Sequence, residues 1–280
     1  MDTILKYCIN NADAMINFSQ KSFSWNRYKK QHYLEIQDFA GCIKSIKNQI
    51  SRNDIISAFK AKDFHKGYIL AMMWGGIGTQ PSIKGNNKTS SAYRAFSIPK
   101  VEVERRLNIL FDCLKENNIE EAYLLLEGEL KFDGIDVSFF TKILSFLSES
   151  LPVSKNLLIY DKWTKLIHVH LLFDNNENPQ TYFSNNRLKK LFFKNKQGKF
   201  ITELINPFSS KKLSAYLNYC KMFDKLTINV SNELKIQITS FELESYLFGN
   251  ELKGKKNKTY QNPRFWIQQN YSERYLSNLS

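Results

Sequence analysis

The residues able to do chemistry cluster between positions 132 and 163. Asp133-Gly134-Ile135-Asp136 makes a tight turn, since Gly134 can take a positive φ and Asp136 tolerates one at some cost. From 138 to 149, Phe139, Ile143, Leu144 and Leu147 recur at helical spacing and Phe140 widens the stripe, so a helix starts just after the turn. A helix start presents unpaired backbone N–H groups and a positive dipole end, a combination that suits phosphate. Lys142 lies one turn beyond Ser138 on the same face. Further on, Ile159-Tyr160-Asp161-Lys162-Trp163 places a single carboxylate, Asp161, at the start of another helix running through Val169. The segment reads as a phosphate-gripping turn with an aspartate attached.

Helices must position this unit. Ile119, Ala122, Tyr123 and Leu126 form a short stripe before the turn, giving helix, glycine hairpin, helix. Val103, Leu107, Leu110 and Leu114 mark an amphipathic helix upstream, and Ile36, Phe39, Ala40 and Ile43 offer another helical face. Residues 54–74 read as helical with a break at Gly67, and end at Trp74-Gly75-Gly76-Ile77-Gly78-Thr79-Gln80-Pro81. Those glycines follow no strand, which excludes a dinucleotide fingerprint; they form either a helix stop or a loop lining a pocket. Residues 82–99 read as an extended polar loop carrying Lys84, Lys88 and Arg94. Trp25, Arg27, Tyr28 and Lys29 fit either nucleic-acid stacking or partly buried anchors. Beyond the connector Asp174-Asn175-Asn176-Glu177-Asn178-Pro179, Leu213, Tyr216, Leu217 and Cys220 mark a helix. Thr239 and Glu242 fit a capping box opening a helix that stops at Gly249. Two parts are expected: residues 1–175 as a helical body carrying the hairpin, and residues 176–280 as a basic helical part packing back on the N-terminal helices. Strand is expected at most as a short pair among residues 225–238.

At 280 residues, with 42% hydrophobic and 14% aromatic content, the chain can bury a substantial core. It has no apolar run of about 18 residues to span a membrane, and its first twenty residues lack the basic start and apolar core of a secretory signal. A cytoplasmic protein is expected. Cys8, Cys42, Cys113 and Cys220 are scattered, so they read as reduced core residues, and with His168 and His170 falling on different sides of a helix no metal site is indicated. The net charge is +13, which favours polyanions. It is lopsided: residues 180–280 hold 17 Lys and Arg against 7 Asp and Glu, a balance of +10, while residues 1–179 hold 23 against 20. The basic stretches at 187–199 and 253–258 therefore favour a nucleic-acid partner.

The unit around Gly134 and Asp161 resembles the helix-hairpin-helix DNA glycosylases, and within them the 8-oxoguanine glycosylase branch. In that superfamily a hairpin, commonly Leu-Pro-Gly-Val-Gly, grips the DNA backbone, and an essential aspartate follows at the start of a later helix. Gly134 matches the first hairpin glycine and Asp161 the aspartate. Two positions depart from the pattern. Asp136 stands at the second glycine, where a carboxylate near a phosphate is repulsive unless it points away or binds a cation. Ser138 stands where bifunctional members carry their Schiff-base lysine, with Lys142 one turn further as either a replacement nucleophile or a solvated, phosphate-facing lysine.

The resemblance implies a mainly α fold of two helical subdomains flanking a cleft. It assigns Gly134, Ile135, Asp136, Val137 and Ser138 to DNA binding, and Asp161 to stabilising the oxocarbenium-like transition state or activating water. Asp161 equally fits an ordinary helix N-cap. Trp74, Trp163 and Tyr246 are candidates for the pocket of an extruded base, because aromatic faces stack on bases, and each also fits the core. The implied activity is monofunctional base release from duplex DNA, without cofactor or metal, by a monomer. Its substrate would be an oxidised purine or a hypermodified base of foreign or phage DNA. A non-catalytic DNA- or RNA-binding protein on the same scaffold is the alternative.

Overall fold

The computed structural model describes residues 3–18, 20, 22–24, 33–46, 49–77, 90–152, 155–184, 188, 206–249, 263 and 266–267. The chain is mainly helical and forms two compact units. The terminal unit combines Met1–Gln20 with Tyr160–Ser280, and the central unit is Lys21–Ile159.

The chain opens with α1 (Thr3–Asn10) and α2 (Ala12–Ile16) of the terminal unit. The central unit then contributes β1 (Phe23–Ser24), α3 (Gln37–Ile43), β2 (Gln49–Ile50), α4 (Arg52–Lys60), α5 (Phe64–Trp74), α6 (Ser91–Phe96), α7 (Lys100–Lys115), α8 (Ile119–Glu127) and α9 (Val137–Ser150). The terminal unit resumes with α10 (Lys162–Asp174), α11 (Lys212–Leu234) and α12 (Ser240–Gly249). No described helix is long and apolar enough to cross a membrane.

In the central unit α5 is the buried axis, packing on α4, α7 and α9. Every residue from Phe64 to Met73 except Lys66 is buried, the pattern of a helix covered on all sides. The break between α4 and α5 falls at Lys62, in the left-handed region with φ +57°, and Asp63, which caps α5 by accepting the Lys66 N–H at 3.4 Å. Gly67, expected to break the helix, lies inside α5. A Cβ there would stand 2.5 Å from the Phe59 ring, so the glycine permits the close approach of α4 and α5. α9 is almost as deeply buried, and its hydroxyls turn back onto backbone carbonyls: Thr141 donates to Val137 O at 2.8 Å and Ser150 to Leu147 O at 2.6 Å. Arg52 ties α4 to α9 by an ion pair with Glu149 at 2.7 Å, its guanidinium lying over Phe146.

Part of the expected loop at 82–99 is helix. Ser90 caps α6 by accepting the Tyr93 N–H at 3.1 Å, and Ala92, Ala95 and Phe96 bury its inner face. Lys84 and Lys88 lie outside the described residues, as do Trp25, Arg27, Tyr28 and Lys29.

In the terminal unit α1 packs on α10 and α11, and α11 on α10 and α12. Residues 225–234, where the sequence allowed at most a short strand pair, are the end of α11. Phe223, Leu226, Thr227 and Val230 are buried at helical spacing, and this periodicity overrides the β-branched composition. The described strand pairing is β1 with β2, antiparallel, with Phe23 opposite Ile50. Thr239 and Glu242 form the expected capping box, Thr239 N–H donating to Glu242 Oε2 at 2.7 Å and Glu242 N–H to Thr239 Oγ1 at 3.2 Å. The Asp174–Pro179 connector is a turn between α10 and a short 3-10 turn, Pro179–Thr181, both within the terminal unit. Most of the basic segments at 187–199 and 253–258 lies outside the described residues.

The Gly67 contact makes a direct prediction. Gly67→Ala should cost about 1–3 kcal/mol by overpacking Phe59. Gly41→Ala, in α3 with nothing within 4 Å of its Cβ position, should be neutral or stabilise by up to about 1 kcal/mol. Urea denaturation of the pair decides it: a Gly67→Ala protein as stable as Gly41→Ala would rule out the close-approach account.

Candidate functional site

The hairpin is a four-residue turn closed by the Ile135 N–H donating to Phe132 O at 3.3 Å, with Gly134 at φ +76° in its third position. That position of a type II turn requires a positive φ, and glycine supplies it without strain. A Cβ on Gly134 would also stand 2.3 Å from Ser91 O, so the turn seats directly on the start of α6. Phe132 is stacked on Tyr68 at 5.0 Å, and the Arg106 guanidinium covers its ring and donates to the Lys131 carbonyl. Arg94 pairs with Asp133 at 2.9 Å. The hairpin is thereby fixed from three sides.

Asp136 resolves the question its charge raised. It is the N-cap of α9, with Oδ1 accepting the Ser138 N–H at 3.0 Å and the Ser138 hydroxyl at 2.9 Å. The carboxylate thus takes donors that a phosphate would otherwise use. No hydrogen bond among the described residues engages the N–H groups of Gly134, Asp136 or Val137, and these remain the turn's available donors. Ile135 is buried, while Val137 and Ser138 are half-buried.

Lys142 is buried, not solvated, with 6% of its surface exposed. Its ammonium donates to Ser138 O at 2.7 Å and lies 5.1 Å from the Phe139 ring. Gly75, just past the end of α5, packs against this side chain: a Cβ there would meet Lys142 Cδ at 2.9 Å and Phe139 Cε1 at 3.1 Å. The glycine stop is therefore also a close contact. The neighbouring Trp74 is half-buried and meets Phe146 edge-on at 5.3 Å.

Asp161, in the terminal unit, is half-buried at the N-cap of α10. Its Oδ1 accepts the N–H groups of Trp163 at 2.9 Å and Thr164 at 3.4 Å, while its own N–H donates to Thr164 Oγ1 at 2.8 Å. This reciprocal box fixes the carboxylate at the positive end of a helix, which stabilises its negative charge. Trp163 is half-buried with the Lys162 ammonium 5.3 Å from its ring. Tyr246 lies in the core, 2% exposed, edge-on to Phe18 and beside Tyr7.

Sequence reasoning missed the polar groups behind Asp161. Tyr160, 1% exposed, shares a 2.8 Å hydrogen bond with His168 Nδ1, and His168 Nε2 shares another of 2.8 Å with Asn218 Oδ1. Because the Asn218 oxygen can only accept, Nε2 carries the proton and Nδ1 accepts from the tyrosine hydroxyl. Burial pushes the His168 pKa down to about 4, against the opposing effect of the Asn218 bond. The buried Lys165 donates to Asn206 Oδ1 at 2.8 Å, with its ammonium 5.5 Å from the Tyr160 ring. Tyr219 packs on Tyr160 at 5.3 Å, and its phenol is raised well above its ordinary range by burial and then by the charges of Glu244 and Asp161, among others. The available signal was the tyrosine that ends the apolar run 157–160 and the lysine and two histidines within the apolar run 165–172, since buried polar groups must find partners.

These features form two assemblies, one in each unit: a turn with available backbone donors, and a charged carboxylate held at a helix start. A family model described as "Putative 8-oxoguanine DNA glycosylase OGG-like protein" matches residues 17–248. No curated protein and no solved structure gives a match.

The histidine makes a pH prediction. His168 titrates near 4 when folded and about 6.5 when unfolded, so the unfolded chain binds more protons between these values. Its contribution to stability is complete above about pH 6.5 and is lost as the pH falls toward 4. Urea denaturation at pH 7.5 and pH 5 should show a larger loss in the wild type than in His168→Gln; equal losses would place the acid sensitivity elsewhere.

Proposed function

The chain belongs to the 8-oxoguanine DNA glycosylase OGG-like family, and on that premise we propose that it extrudes a damaged or modified base from duplex DNA and hydrolyses the N-glycosidic bond to leave an abasic site. The observation that carries the reading is Asp161, the aspartate that the resemblance to the helix-hairpin-helix glycosylases points to, fixed by two backbone N–H bonds at the N-terminus of α10. As the C1′–N bond breaks, its electron pair leaves with the base, which takes up a proton, and positive charge builds on the sugar. A fixed carboxylate stabilises that charge, or accepts a proton from the water that attacks C1′. The N–H groups of Gly134, Asp136 and Val137, which no hydrogen bond among the described residues engages, are suited to a backbone phosphate, and the +13 net charge supports attraction to DNA. Two helical subdomains flanking a DNA-binding cleft are part of the same proposal.

Trp163 and Trp74, both half-buried, are the better-placed candidates for stacking on an extruded base, since Tyr246 already lies in the core. An oxidised purine fits the family's name, and a hypermodified base of foreign DNA is the second substrate class. With Ser138 in the lysine slot, water is the nucleophile and the enzyme is monofunctional. A second reading is favoured by one observation: Lys142 is a buried amine packed against Gly75, and a desolvated lysine is the usual Schiff-base nucleophile.

Because asparagine caps a helix as well as aspartate does, Asp161→Asn separates charge from capping. It should lower single-turnover base release by about 100-fold or more while leaving duplex affinity nearly unchanged. Mass spectrometry of bases released from oxidised, genomic and phage-modified DNA identifies the substrate. No release from any of these would favour a binding protein, and tighter binding to structured RNA than to bent duplex DNA would make RNA the partner. Strand nicking with a borohydride-trapped adduct that disappears in Lys142→Ala would overturn the monofunctional assignment. Asp136→Asn should keep the α9 cap and strengthen duplex binding at low salt by removing a charge beside the phosphate; unchanged affinity would mean that the hairpin does not approach the DNA backbone.

A further inference from the structure

We propose that Tyr160 and His168 are positioning residues for Asp161, acting through the buried hydrogen-bonded column Tyr160–His168–Asn218; the catalytic half of this inference rests on the glycosylase reading given above. The column is costly to build. Its tyrosine and histidine are 1% and 0% exposed, and burying a hydroxyl and an imidazole is favourable only when each finds a partner. An apolar pair would fill the same core without that condition. What the polar version adds is direction. Dispersion contacts tolerate rotation and sliding, whereas hydrogen bonds at 2.8 Å at both ring nitrogens fix the His168 ring in position and tautomer.

The geometry carries this fixation to the residue before Asp161. The Tyr160 hydroxyl is tied to His168, two turns along α10, while its ring is held by Tyr216 and Tyr219 of α11 at 5.7 and 5.3 Å. The Lys165 ammonium, itself bonded to Asn206, lies over the same ring. Tyr160 is therefore anchored to two helices at once, and Asp161 follows it by a single peptide bond. From the other side Asp161 is held by Trp163 and Thr164. The extended backbone of Asp161, φ −101° and ψ −170°, is consequently specified from both directions. The neutral histidine matters to this arrangement, because a proton on Nδ1 would displace the tyrosine hydroxyl as donor.

The test uses the full chain with Tyr160→Phe, which keeps the ring and removes the hydroxyl, and Asn218→Ala, which cuts the far end of the column on a different helix. Amide hydrogen exchange at Trp163 and Thr164 reads the cap without any substrate. Both variants should lose about tenfold in protection at these amides relative to the rest of α10. Single-turnover release of 8-oxoguanine from a duplex should fall by about tenfold to 100-fold with duplex affinity unchanged, as misplacing a reacting group predicts. Unchanged protection at Trp163 and Thr164 in both variants would overturn the proposal, whatever the activity. So would normal release by the variants when Asp161→Asn abolishes it. If instead Asp161→Asn releases base normally, or no DNA loses a base at all, the glycosylase reading is what fails, and lost protection in the two variants still establishes that the column positions the carboxylate.

Discussion

An α-helix begins with backbone N–H groups that have no partner within the helix, and this chain meets that constraint at both candidate sites with aspartate. Asp136 caps α9 and Asp161 caps α10. At the hairpin the cap competes with the anion that the helix start would otherwise attract, since Oδ1 of Asp136 takes both the N–H and the hydroxyl of Ser138. At α10 the cap works in the opposite sense: the N–H bonds and the helix dipole hold a negative charge in a defined orientation. The same local chemistry weakens one anion site and builds one carboxylate.

Packed or hydrogen-bonded side chains support each cap. In the central unit the hairpin is held by Ser91 and Arg94 of α6 and Arg106 of α7, and Phe132 packs on Tyr68 of the buried helix α5. In the terminal unit the support is polar, through Tyr160, His168, Asn218 and Lys165. Lys142 belongs to the first kind of support. Its stem fills space that Gly75 leaves open, and its ammonium finds the Ser138 carbonyl one turn back.

Much of the fold was legible because helical stripes report burial directly. Val103, Leu107, Leu110 and Leu114 are the buried face of α7, and Ile119, Ala122, Tyr123 and Leu126 that of α8. Local signals with their own physics were equally readable, as the Thr239–Glu242 capping box and the Gly134 turn show. Readings that depended on distant partners went astray. Gly67 looked like a helix break because glycine is a poor helix former, but the Phe59 ring of α4 requires it inside α5.

By itself the sequence determined the strongly striped helices such as α7, α8 and α9, the hairpin glycine and the aspartate at the start of α10, because these follow from periodicity and from backbone chemistry within a few residues. Only the tertiary structure decided that Asp136 spends its charge on Ser138, that Lys142 is buried against Gly75, and that Tyr160 reaches His168 and, through it, Asn218. Whether a polar side chain meets water or a partner depends on which groups the fold brings beside it, and 50 residues separate His168 from Asn218. The local pattern can place Asp161 at a helix start; it cannot show what holds the carboxylate still.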